Sequence, residues 1–139
     1  MNTIPSLFSL HFSLFTFVRL LSLDIGTRHT GAAFYDDANG VVLPLDTIEH
    51  TSEEELLNAV AKLIEERHID HVYVGLPLLP SGKDGSQSGI VRTIFAEIEA
   101  LGPPCSLIDE RYTTPKSGQS DGNAAAACSL LNIALENDS

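Results

Sequence analysis

The run Leu20-Leu21-Ser22-Leu23-Asp24-Ile25-Gly26-Thr27 constrains this chain more than any other stretch. Its apolar residues read as a buried strand, and Asp24, a poor strand former, falls where such a strand meets its loop. Gly26 removes a side chain two residues on, which lets a phosphate or metal ion approach the backbone. An aspartate that merely caps a turn fits the octapeptide equally well. The rest of the chain has to decide between the two.

With 139 residues the chain can build one domain around a real core. Its net charge of −11, from 8 basic and 19 acidic residues, disfavours non-specific binding to a polyanion. Any action on nucleic acid therefore needs a local basic patch, a bridging metal ion, or both. Cys105 and Cys128 lie in apolar surroundings without CxxC spacing and read as buried reduced thiols.

Residues 1–18 carry no Lys, Arg, Asp or Glu. They lack the basic start and small-residue cleavage site of a signal peptide. They are also shorter than the roughly 20 residues of a membrane span, and Pro5, His11 and three serines interrupt them. They read as an apolar extension outside the domain: an upstream start-site artefact with initiation near Val18, or an added amphipathic segment packed on it. Residues 19–139 are then a single domain.

Two strand-like runs, Thr30–Tyr35 and Val41–Ile48, flank an Asn39-Gly40 hairpin signal, so the first three strands form an antiparallel meander. Ser52 with Glu55 marks a helix start, and Leu56, Leu57, Val60, Leu63 and Ile64 make its apolar face. His71–Leu76 is a strand stopped by Pro77, followed by the loop Pro80–Ser86. A second helix buries Ile90, Val91, Ile94, Phe95, Ile98 and Leu101 and stops at Gly102-Pro103. Cys105–Ile108 is the last strand, and Asn123–Glu136 an alanine-rich helix with Ala124, Ala127, Leu130, Leu131 and Ala134 facing inward. The order βββαβαβα gives an α/β fold with a mixed five-stranded sheet and helices packed on it.

Two strands end in acid, at Asp24 and at Asp109-Glu110, and Asp121 or Asn123 stands at the start of the last helix. Strand ends and helix starts line the functional crevice of an α/β sheet. Oxygens converging there repel one another unless a cation lies between them, and Mg²⁺ or Mn²⁺ is the ion such ligands prefer. Two such ions about 4 Å apart activate water and steady the leaving oxygen of a phosphodiester.

LSLDIGTRHTGAAF, VYVGLP, LPSGKDGSQ, LIDERYTT and NAAAACSLLN, in that order, resemble the successive motifs of the YqgF/RuvX family. The resemblance covers roughly Arg19 to Leu135 and implies an RNase H-like fold similar to that of Holliday-junction resolvases. It implies a cytoplasmic, Mg²⁺- or Mn²⁺-dependent endonuclease for structured nucleic acid, with processing of the pre-16S rRNA 5′ end as the leading activity. By that resemblance Asp24 and Glu110 hold the metal, with Asp121 or Asn123 completing the site. Asn123 stands at the aspartate position of the family's DxxAA pattern, and His29 where the family has arginine. Arg111 and Thr113 would hold phosphate or the loop itself. Arg28, Lys83, Arg92 and Arg111 are the candidate nucleic-acid contacts. Holliday-junction resolution is an alternative activity, and a binding module of decayed chemistry is another. A lobe of an actin-like or sugar kinase is a third, for which the chain is short. The expected partners are pre-rRNA or branched DNA and no membrane, with the chain a monomer or weak homodimer.

Overall fold

The computed structural model describes residues 17–112 and 122–137. Most of the N-terminal extension, Thr113 and Asp121 lie outside the described residues. The strands are β1 (Arg19–Asp24), β2 (His29–Asp36), β3 (Val41–Pro44), β4 (Ile48–Glu49), β5 (His71–Leu76) and β6 (Cys105–Asp109). The helices are α1 (Glu53–Arg67), α2 (Ser86–Glu99) and α3 (Gly122–Asn137), and a 3-10 turn, Glu110–Tyr112, follows β6.

The sheet runs β3-β2-β1-β5-β6, with the short β4 beside β2. β1 lies antiparallel to β2 and parallel to β5, which is parallel to β6. The carboxyl ends of β1, β5 and β6 therefore share one edge. β1 sits at the centre because it is apolar towards both faces, as a strand covered on both sides must be. Leu21 and Leu23 join Ala32, Phe34, Val72 and Val74 in a core closed by Leu56 and Val60 of α1 and by Val91, Ile94 and Ile98 of α2. Leu20 faces the other way, with Ala33 and Tyr73, against Ala127, Leu131 and Ala134 of α3. Between Leu21 and Leu23, buried Ser22 donates a 2.6 Å hydrogen bond to the Ala127 carbonyl and ties α3 to the sheet.

The hairpin forms where Asn39-Gly40 predicts it. Gly40 takes φ +71°, and its N–H and that of Asn39 donate to the Asp36 carbonyl. The run Val41–Ile48, read as one strand, divides. Pro44 ends β3, lacking the N–H a continuing ladder needs. The chain then resumes as β4, with Ile48 and Glu49 opposite Thr30 and His29. The five expected strands thus gain a sixth of two residues.

Ser52 caps α1 by accepting from the Glu55 N–H at 3.1 Å. The Glu55 carboxylate reaches one residue further back than a capping box requires, to the N–H and hydroxyl of Thr51. The expected inward stripe of α3 is the buried one. In α2 the stripe is narrower than expected: Ile90 is 53% exposed and Leu101 37%, while Ser88 is buried. Cys105 and Cys128 are free and half-buried, and burial pushes the Cys105 thiol up to about 11.

Candidate active site

Strand alternation puts Leu20, Ser22 and Asp24 of β1 on the face that α3 covers. In β6 the same face takes Ile108, so the next residue in phase is Glu110. Both acids therefore arrive at the shared carboxyl edge on one side of the sheet. The Glu110 carboxyl hydrogen-bonds to that of Asp24. Burial pushes Glu110 up to about 8, and the hydrogen bond to Asp24 and the charges of Asp24 and Asp109 add to the rise. Two carboxyls this close need a proton or a cation between them.

Two glycines make the room. Gly75 stands on β5 between the two acid-bearing strands, paired with Ile108. A methyl there would come within 2.5 Å of Glu110 Oε1 and 2.7 Å of its Cγ. Gly31 pairs with Asp24 across β1 and β2. A methyl at Gly31 would run into the main chain of Asn123, carbonyl oxygen first. The start of α3 thus seats directly on the neighbour of Asp24, with Asn123 beside the pair and the positive end of the helix dipole at the same edge. Gly26 is needed for a different reason: a methyl there would strike the His29 carbonyl, so the turn after Asp24 closes only without one.

The chain leaves Asp24 through Arg28, which is exposed. That turn is held from behind. The His50 N–H donates to the Arg28 carbonyl at 2.9 Å, and the buried His50 ring hydrogen-bonds to the Thr30 hydroxyl at 2.8 Å. Burial keeps the His50 imidazole below its ordinary range.

Of the expected site residues, Asp24 and Glu110 meet and Asn123 is brought beside them. Asp121 lies outside the described residues. Among the described residues no three His, Cys, Asp or Glu side chains gather as a metal cluster. Among the described residues the acids that meet here are Asp24 and Glu110. The four expected phosphate contacts divide. Arg28 and Lys83 are exposed, and no ion pair engages either among the described residues. Arg92 donates to Asp84 at 2.9 Å, and that bond holds the Asp84 carboxyl below its ordinary range. Arg111 grips both Asp109 oxygens, with Nε at 3.1 and 3.0 Å and Nη2 at 2.6 Å. Its Nη1 donates to the Pro80 carbonyl at 3.2 Å. Arg111 thus reaches the loop after β5 through Pro80.

The parts played by Gly31, Gly75 and Asp109 were missed in the sequence, where Gly75 reads only as part of the strand His71–Leu76. An isolated glycine inside a strand does signal a close approach. What approaches comes from residues 92 positions further on for Gly31 and 35 for Gly75, beyond the reach of local pattern.

Residues 18–127 match the family model described as "RuvX: Holliday junction resolvase". A protein of Chloroflexus aurantiacus (strain J-10-fl) named "Putative pre-16S rRNA nuclease" is 35% identical over 102 residues, 72% of this chain and 66% of its own length. One of the same name from Chromobacterium violaceum is 36% identical over 95 residues, 68% of this chain and 69% of its own length. Alignments thus span about two thirds of these relatives. In three dimensions the chain is similar to Thermus thermophilus RuvC in complex with Holliday junction substrate, with a TM-score of 0.60 at 10% identity over 81% of this chain and 89% of that one. It is also similar to the fowlpox virus Holliday junction resolvase, with a TM-score of 0.55 at 14% identity over 86% and 99% of the respective chains. The fold is the RNase H-like fold of those resolvases.

Proposed function

Because this chain belongs to the RuvX family and brings two carboxyls together at the carboxyl edge of an RNase H-like sheet, we propose that it is a divalent-metal-dependent endonuclease for structured nucleic acid, with the 5′ end of pre-16S rRNA as substrate. The observation that carries this reading is the Asp24–Glu110 pair. Burial, with the hydrogen bond and charge of Asp24, raises the Glu110 carboxyl to about 8. Hard divalent ions choose such all-oxygen sites. Asp24 and Glu110 would hold Mg²⁺ or Mn²⁺, with Asn123 or Asp121 supplying a further oxygen.

When bound, such an ion lowers the pKa of water and draws charge from the phosphodiester oxygens. The protein's own groups do the remaining work. Glu110, whose carboxyl burial and Asp24 raise to about 8, would hold the ion in its deprotonated form. Asp24 stays fixed by the ladder to Gly31 and by the braced turn behind Arg28. Arg28, in the turn after β1, and Lys83, in the loop after β5, would neutralise substrate phosphates in a chain otherwise too acidic to attract them. The expected setting is the cytoplasm, where pre-rRNA is made; no helix among the described residues is long and apolar enough to cross a membrane.

Asn123 favours a second reading, a binding module of weakened chemistry, because an amide compensates a divalent ion less well than a carboxylate. One assay separates the readings: cleavage of a pre-16S 5′-end RNA and a four-way DNA junction in Mn²⁺. The RNA should be cut in preference to the junction. Asp24→Asn should lower the rate by more than about 100-fold, since loss of a ligand outweighs the 10- to 100-fold cost of losing a ligand's support. Asn123→Asp should raise it. Wild type that binds the RNA without cutting it, with cleavage restored by Asn123→Asp, would establish the binding module instead.

A further inference from the structure

The loop between β5 and α2 carries Lys83, and it is fastened far more tightly than a glycine- and serine-containing loop needs to be. Its tip closes as a turn: Leu79 N–H donates to the Lys83 carbonyl at 2.9 Å, and Gly82 N–H to the Leu79 carbonyl at 2.8 Å. At its far end the buried Ser88 hydroxyl accepts from the Gly85 N–H and donates to the Gly85 carbonyl. Asp84, next to Lys83, is held by Arg92. On the near side the fastening is Arg111. Its Nη1 reaches the Pro80 carbonyl across 31 positions of sequence. Gly82, at φ +88°, presents its bare Cα to the same guanidinium; a methyl there would sit 3.2 Å from Nη1. Asp109 fixes the other side of the fork, so the guanidinium cannot rotate away.

This gives the arginine after Glu110 a definite role. Arg111 is immediately C-terminal to one acid of the site, and it spans to the loop that carries the exposed lysine. A planar fork with several donors in fixed directions can hold a carboxylate and a carbonyl at once; an ammonium cannot do so in the same geometry. We propose that Arg111 is a positioning residue. It does not contact substrate phosphate; clamped by Asp109, it sets the 79–83 turn so that Lys83 meets a phosphate at a fixed distance from the Asp24–Glu110 pair. The proposal rests on the nuclease reading for the identity of the ligand, but the clamp itself does not.

Two measurements test it on the full-length chain. The first is digestion with a lysine-specific protease, followed by mass spectrometry for the cut after Lys83. Arg111→Gln, Arg111→Lys and Asp109→Asn should each speed that cut relative to wild type, with no nucleic acid present. Unchanged rates would overturn the clamp. The second is the salt dependence of binding to a structured RNA in Ca²⁺, an oxygen-binding divalent ion of looser geometry used in place of Mn²⁺ to fill the acid pair without supporting cleavage. One lost phosphate contact lowers the slope of log K against log salt by about 1. Lys83→Ala, Arg111→Gln, Arg111→Lys and Asp109→Asn should each lower it by about that amount. The Lys83→Ala/Arg111→Gln double variant should lower it no further.

If Arg111 itself touched phosphate, Arg111→Lys would keep the slope and Asp109→Asn would strengthen binding. The double variant would then lose about 2. Any of these would overturn the proposal. Failure of wild type itself to bind structured RNA, with the protease result as expected, would leave the clamp standing and remove both its substrate role and the nuclease reading.

Discussion

Glu110 changes its chemistry with what it faces. Burial, then the hydrogen bond and charge of Asp24, raise its carboxyl from 4.5 to about 8. A carboxyl whose pKa is higher in the folded than in the unfolded state favours folding while it is protonated. Its contribution is complete below about pH 4.5 and disappears as the pH climbs through about 8. Metal-free Glu110→Gln escapes that loss. Melting temperatures in chelator should therefore show the variant gaining on wild type as the pH rises between these limits. A gap that stays constant with pH would mean that folding does not raise the Glu110 carboxyl. Gly75 gives a second test at this scale. A methyl at Gly75 meets the flexible end of Glu110, which can swing aside. Gly75→Ala should cost little stability, under about 1 kcal/mol, yet abolish Mn²⁺-dependent cleavage by displacing the carboxylate. A variant as active as wild type would show that Glu110 need not stand where it does.

At the scale of elements, the seat of α3 on the sheet decides whether the site forms. A methyl at Gly31 meets backbone rather than a yielding side chain. Gly31→Ala should push the start of α3 off β2 and destabilise the protein by about 1–3 kcal/mol, as overpacking does. Chemical denaturation of the two proteins measures it, and an unchanged midpoint would contradict this seating. Most elements were legible in the sequence because each carries a local signal. The strand ending at Asp24, the Asn39-Gly40 turn and the Ser52 cap are all read from neighbouring residues. One boundary and one buried face were not legible, for physical reasons. Leu45–Ile48 keeps a strand's composition, but the proline before it ends one ladder, and the pairing that begins the next lies on β2. Ile90 has the same apolarity as its neighbour Val91; only the packed sheet determines which of them turns inward.

For the molecule as a whole, strand order brings Asp24 and Asp109-Glu110 to one edge, while the choice of Glu110 over Asp109 came from the family resemblance and not from spacing. The disposition of the basic residues was not legible. Asp84–Arg92 and Asp109–Arg111 neutralise two of the four expected phosphate contacts, and nothing in a charge count says which arginines are taken. With a net charge of −11, the whole molecule repels the substrate assigned to it, so a cation at the acid pair is the central requirement. The direct test is a calorimetric titration of Mn²⁺ into wild type, Asp24→Asn and Glu110→Gln near pH 7, repeated in buffers of different ionisation enthalpy. With Glu110 at about 8, an arriving ion must expel its proton, because metal ligands bind deprotonated. Wild type should bind Mn²⁺ with release of about one proton, diminishing above pH 8. Asp24→Asn should bind far more weakly, and Glu110→Gln should bind weakly and release no proton. Equal binding by all three proteins, or binding by wild type with no proton released, would contradict a metal site built on Asp24 and Glu110.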